Sequence, residues 1–538
     1  MSIQGFTPAQ IAAFTTSQIQ SLTTDDFKKL STAQINALTS EQIGAIETED
    51  LSVLSATQIK SFDAQEFADG MLTYQIEALN QTHIAALSTD QLSVLTTDQI
   101  QAIETRDLIK LSAAQLNALS TEQFNNLSSD QIQSLTATQI KGLSTDQLST
   151  LTTDNVQLLT GAQIATLSIT QLNSFDSDQI AAIDVADVAA FTATQVKGMD
   201  SSQIAALTTS QITQLSNNQL AALTTTQIAN IETDDLAAMT SSQITAFSAK
   251  QIVAFTSDQL NNMTSDQIQA LTATQIKGLT TDQMSSLTSD NIQLLTSTQV
   301  AALSTTQLNS LDSDQIAALD TEDVAAMTAT QIKGLGTDQV VALTTSQAAA
   351  LQYAQIAALS VNQIAVFETD DLAQLSSDNI KALSSLQIRA LTTDQIDSLS
   401  TEQIQGLNAA QIAAMTSEQI STLGTEDIQA LTTAQISALT SEQISGLTTE
   451  HISNLESEDL QALSAIQIKL FNTDQITNGL STTQIQQLTT TQVAALTTDH
   501  IPNLSTDQID ALSTDQVRAL TSDQIAVLTT DQIPYLHF

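Results

Sequence analysis

The chain has no cysteine and no tryptophan, only three prolines and thirteen glycines, and 3% aromatic residues. Without thiols there are no disulfides, thiolate metal sites, iron–sulfur clusters or cysteine nucleophiles. Basic residues are also scarce: 14 Lys and Arg stand against 58 Asp and Glu, a formal net charge of −44. So few cations cannot neutralise a phosphate backbone, which excludes nucleic-acid binding as a main activity. No run reaches the ~18 apolar residues that would mark a membrane-spanning helix. The start, Met1-Ser2-Ile3-Gln4-Gly5-Phe6, shows neither a basic region nor an apolar one, so no cleaved secretory signal is visible. Yet 41% of the 538 residues are hydrophobic, too many for an acidic disordered tail. Something is buried, and by a uniform method.

That method is repetition. Large apolar residues recur every eight positions from Phe6 through Phe62, slip by one to Met71, run to Phe471, slip again to Leu480 and end at Leu536. This makes 66 units with the consensus Leu-Ser/Thr-Ser/Thr-Asp-Gln-Ile-x-Ala, and Gln holds the fifth place in 50 of them. A longer duplication is superimposed, since Gln131 to Met199 matches Gln267 to Leu335 at an offset of 136 residues, or 17 units. Residues 1–5 are a short lead, and 6–538 read as one continuous solenoid. The register slips fall near 70 and 479, and atypical capping units fall near 500–538.

An octad does not suit one long helix, because its apolar stripe would drift by about 80° per repeat. A β-solenoid is the alternative. It places the first and sixth positions on opposite faces of a strand and needs more turn residues than the chain supplies. The reading that uses every position is all-α: a solenoid of very short capped helices, one per octad. Ser/Thr-x-x-Gln is the capping box, in which the hydroxyl accepts from the backbone N–H at five and Gln reaches back. The first and sixth positions form the hydrophobic staple, and the acid at four meets the positive end of the helix dipole. Helices this short are stable only when stacked. Gly70 and Gly479 precede the slipped anchors, where a permissive backbone is expected. Pro8 fits the first helical position. Pro502 and Pro534 follow position six and mark an altered end or cap.

Little in the pattern suggests catalysis. His83, His451 and His500 replace the capping Gln, and His537 lies outside the pattern. There is no phosphate loop, dinucleotide fingerprint or nucleophile triad. Near-interchangeable units do not make a unique active site, so no enzyme is expected. Lys60, Lys141, Lys197, Lys277, Lys333, Lys381 and Lys469 all stand at position seven, on a solvated face or facing the acidic rows of a neighbouring molecule.

The strongest site signal is a set of units in which an acid replaces the cap hydroxyl and Asp replaces Gln. They are Glu47, Glu49 and Asp50; Glu232, Asp234 and Asp235; Asp320, Glu322 and Asp323; Glu368, Asp370 and Asp371; and Glu456, Glu458 and Asp459. Three carboxylates within four residues repel one another. Hard oxygen ligands at close spacing suit calcium, so these are the candidate metal residues. The bland alternative is a charged surface with an Asp in the first helical turn.

Octads such as Leu431-Thr432-Thr433-Ala434-Gln435-Ile436-Ser437-Ala438-Leu439 resemble the repeats of large bacterial surface and adhesin-like proteins. The resemblance runs from Phe6 to Leu536 and carries no catalytic motif. It implies a structural protein of a cell-surface filament, surface layer or adhesive stalk, self-associating and exported without a cleaved signal, with a cytoplasmic location the alternative. A second expectation is an acidic scaffold that presents a long face to a basic protein partner. A third is ice or mineral binding through its Thr rows.

Overall fold

The computed structural model describes residues 3–537. Among them are 63 α-helices of four to seven residues, a few 3-10 turns, one π-turn and no strand. The β-solenoid alternative is therefore excluded, and the fold is an all-α solenoid with one helix per octad.

Each helix begins as its sequence dictates. In the octad opening at Leu359, the backbone N–H of Gln363 donates to Ser360 Oγ at 3.3 Å, and the N–H of Ser360 donates to Gln363 Oε1 at 2.7 Å. The helix Val361–Ala365 then closes after five residues. The reciprocal cap, worth about 1 kcal/mol, starts the helix but cannot sustain it alone. The sixth residue points fully inward, as Ile11, Ile19 and Ile35 do at 0% exposure, and the first residue of the next octad joins it in the core.

Helices stack on those three octads further along, as Ser297–Ala302 does on Thr321–Ala326. Side chains also reach back four octads, as described below, so a coil takes between three and four octads per turn. The residues fall into two compact units, one ending at Leu271 and the other starting at Thr272, and each is built this way internally.

The register slips differ from the expectation in an instructive way. No glycine among the described residues has positive φ. The extra residue is absorbed by a longer helix, Ala64–Gly70, at the first slip and by a π-turn, Gln475–Gly479, at the second. A π-turn is the usual way a helix takes in one residue. Glycine is needed here for closeness. A Cβ on Gly70 would collide with the Ser40 carbonyl and sit 2.9 Å from Ile43 Cβ, and one on Gly479 would lie 3.1 Å from Ile452 Cβ. Pro502 and Pro534 lie in 3-10 turns, Ile501–Asn503 and Ile533–Tyr535, because proline there removes an α-helical donor.

Candidate functional site

The fifth position does more than cap. While Gln363 Oε1 accepts from the cap N–H, its Nε2 donates to the carbonyls of Ile332 at 2.8 Å and Leu335 at 2.9 Å, one coil earlier. The same pair of bonds recurs in both units. Gln131 reaches Ile100 and Ile103 at 3.0 and 2.8 Å, and Gln443 reaches Ile412 and Met415 at 2.6 and 2.7 Å. The acceptors lie 31 and 28 residues upstream, at the end of a helix and the start of the next. The first of these carbonyls also takes the N–H three residues on, as Ile332 does from Leu335 at 3.2 Å, and the second lies between helices, where the ladder of a short helix does not reach. One side chain thus caps its own helix and clasps the preceding coil, and both ends of the amide are used.

Sequence reasoning found the cap and missed the clasp. The signal was present, because a capping box accepts Glu as readily as Gln, whereas 50 of the 66 fifth positions are Gln and only one is Glu. An amide can accept and donate at once, whereas an ionised carboxylate only accepts.

The histidines support this reading. In each, Nδ1 takes the cap N–H, from Asn80, Thr448 and Thr497 at 3.4, 3.3 and 3.1 Å. Nε2 meets the upstream carbonyls of Leu54, Leu423 and Phe471 at 2.8, 2.9 and 2.8 Å. The neutral imidazole with hydrogen on Nε2 copies both halves of Gln. Burial holds all three below the ordinary histidine range, which favours that neutral form.

The acidic units have a different geometry. Within each triplet the first two acids are exposed and the third is buried. Glu47 and Glu49 face outward while Asp50 turns in, as do Asp235, Asp323, Asp371 and Asp459 in theirs. The three carboxylates do not converge, and no group of three His, Asp or Glu among the described residues is placed to hold a metal ion. The spacing that suggested calcium puts the oxygens on opposite sides of the helix start.

The inward Asp is shorter than Gln and, when ionised, has no hydrogen to give, so it cannot clasp the carbonyls of the preceding coil. It accepts instead from a hydroxyl on the helix stacked before it. Thr209 Oγ1 donates to Asp235 and Ser297 Oγ to Asp323, both at 2.7 Å, and in a related unit with Gly424 at the cap Thr401 Oγ1 donates to the half-buried Asp427 at 2.8 Å. Thr345 and Thr433 stand near Asp371 and Asp459 and favour their charged forms. Burial, then the neighbouring acids, push Asp50 above the ordinary carboxylate range. Asp235, Asp323, Asp371 and Asp459 are also raised mainly by burial, against the pull of their hydroxyl partners. The cap is lost as well, since Glu47, Glu232, Asp320, Glu368 and Glu456 make no side-chain cap bond.

The position-seven lysines are all exposed, and Lys381 pairs with Asp378 of its own helix at 3.2 Å. His537 lies beside Asp510 at 2.9 Å.

Comparison with known families bears on the repeat itself. The ALTTAQ repeat profile matches twelve stretches, at residues 24–48, 70–102, 100–137, 180–217, 228–265, 261–297, 316–353, 364–401, 396–425, 420–456, 478–506 and 503–537. The chain belongs to the ALTTAQ repeat family. These matches cover most of the chain, in keeping with the octad pattern. No curated protein matches it. Among solved structures, the leucine-rich repeat-containing protein LegL7 from Legionella pneumophila is 13% identical, over 50% of this chain and 77% of its own, with a TM-score of 0.11. APUM23-GGAAUUGACGG is 13% identical over 91% and 92%, with a TM-score of 0.12. Importin13 in its cytosolic state is 11% identical over 97% and 75%, with a TM-score of 0.15. At such scores the likenesses carry no functional argument. Among the described residues no helix is long and apolar enough to cross a membrane.

Proposed function

We propose that this ALTTAQ repeat protein is a structural element, a repeat solenoid that self-associates into a bacterial cell-surface filament, surface layer or adhesive stalk, and that it is not an enzyme. The observation that carries this reading is the uniform outer face. Octad after octad presents the same exposed Ser or Thr and acid around the same buried pair, as in Thr96 and Asp98 or Ser505 and Asp507. A repeated surface offers many equivalent contacts to a second copy, which favours assembly by repetition over recognition at one place. The apolar void lined by Phe124, Ile132 and Leu148 holds only about 10 Å³, room for no more than about one water.

Negative-stain electron microscopy of the purified chain tests the proposal, with light scattering across a concentration series and with calcium added or chelated. Ordered assemblies are the expected result. Monodisperse single chains under every condition would overturn it. The acidic face supports a second reading, a scaffold for a basic protein. One stoichiometric basic partner in a pull-down, without self-assembly, would favour that instead.

A further inference from the structure

The acidic octads remain unexplained by a uniform structural role. A consensus octad ties its helix start with four side-chain bonds: hydroxyl to the N–H at five, Gln Oε1 to the N–H at two, and Gln Nε2 to two carbonyls of the coil before. In the octad Glu368–Asp371 the cap bond is absent and Asp371 has no amide to clasp with. The carbonyls a Gln would claim, 31 and 28 residues upstream, belong to Val340 and Leu343. What remains near Asp371 is the Thr345 hydroxyl. The octad Asp320–Asp323 resembles it, with Ile292 and Leu295 upstream, Ser297 the partner on the stacked helix and the Asp320 backbone the partner within the octad. In both, a second carboxylate oxygen, Asp323 Oδ2 and Asp371 Oδ1, is buried with no hydrogen-bond partner, although Asp323 and Asp371 are only 4% and 2% exposed. A buried polar atom left unpaired opposes closure, and water supplies the missing partner once the rung opens.

We propose that the acidic octads are opening points, rungs at which the coil parts from its neighbour locally while the Gln-clasped octads on either side stay closed. In a solenoid, stability is a sum of unit and neighbour terms, so a weak rung stays weak where it stands. The outward acids Glu368, Asp370, Asp320 and Glu322 add mutual repulsion at the same places. The proposal goes beyond the structural reading and does not depend on whether copies assemble.

Hydrogen–deuterium exchange of the full chain, followed by mass spectrometry and corrected for intrinsic rates, tests it. Peptides covering Thr321–Ala326 and Thr369–Gln374 are expected to exchange on the order of ten- to a hundred-fold faster than the clasped helix Val361–Ala365, the loss of two or more bonds setting that scale. Glu368→Ser with Asp371→Gln should restore protection at that rung alone. The reverse exchange, Ser360→Glu with Gln363→Asp, should create a fast rung where none exists. Equal protection in acidic and clasped octads of the unaltered chain would overturn the proposal without any variant. So would substitutions that leave local rates unchanged in chains whose circular dichroism is intact.

Discussion

Replacing Gln443 by Glu separates the two duties of the fifth position. The change keeps an acceptor for the Thr440 N–H, at 2.8 Å in the native chain, and removes the donors to Ile412 and Met415 at 2.6 and 2.7 Å. Each neutral bond contributes about 1 kcal/mol net, and a buried acceptor left unpaired costs about 1–3 kcal/mol. The ionised carboxylate would also lie beside two carbonyl oxygens. The expected local loss at pH 7 is therefore roughly 2–4 kcal/mol, while Gln443→His, which copies the native arrangement of His451, should cost less than ~1 kcal/mol. Long repeat arrays need not unfold in one step, so the readout should be local: exchange protection of the helices Ser417–Ser421 and Ser441–Gly446, alongside a urea melt. Acidification should recover part of the Glu variant, since burial raises a carboxyl and its neutral form regains one donor. If Glu and native Gln proved equally protected at pH 7, the Nε2 bonds would contribute nothing and the clasp would be geometric coincidence. If His cost as much as Glu, the two-sided mimicry would be wrong.

Other expectations concern pH, glycine and caps. Burial raises Asp50, Asp235, Asp323, Asp371 and Asp459, so their contribution to stability is complete below the ordinary Asp value and is lost as pH rises through the raised one. Thermal melting should strengthen on mild acidification, and Asp323→Asn with Asp371→Asn should flatten that slope; an unchanged slope would remove the assignment. The depressed histidines act in the opposite sense. Their contribution is present above the ordinary His value and fades as pH falls through the lowered one, so His83→Gln, His451→Gln and His500→Gln together should blunt that loss in a pH-resolved melt. Gly70→Ala should destabilise the N-terminal unit by about 1–3 kcal/mol through overpacking against Ser40 and Ile43, and a neutral outcome would show that the neighbouring coil yields. Thr440→Ala removes one cap acceptor and should cost about 1 kcal/mol in the same exchange measurement.

Much of the fold was legible because its determinants are local. Ser360 and Gln363 lie three residues apart, and the cap they form needs nothing from elsewhere in the chain. What the sequence hid are contacts 24–32 residues away, where no pairing rule marks the partner in advance. Gln363 and the carbonyl of Leu335 are linked by backbone atoms that every residue has, so the acceptor leaves no trace in the letters. The acidic octads were visible as a co-occurrence of Glu368, Asp370 and Asp371, but a linear spacing does not say which side of a helix start each carboxylate takes. The inward turn of Asp371 follows from its standing where Gln stands, and the outward pair from standing where Asp and Thr stand. Reading them by octad position, rather than as neighbours in a row, would have separated them. The slips at Gly70 and Gly479 were visible too, but the cause lay in the crowding of adjacent coils.

The clasps all point one way. Among the described residues, the fifth-position amides that clasp, from Gln34 onward, take acceptors that come earlier in the chain. A polypeptide that appears N-terminus first, from a ribosome or through a narrow channel, brings every new Gln to a coil whose acceptors have already emerged. Winding can therefore keep pace with emergence, each octad locking onto the finished turn behind it, and no part of the coil has to wait for the far end of the chain.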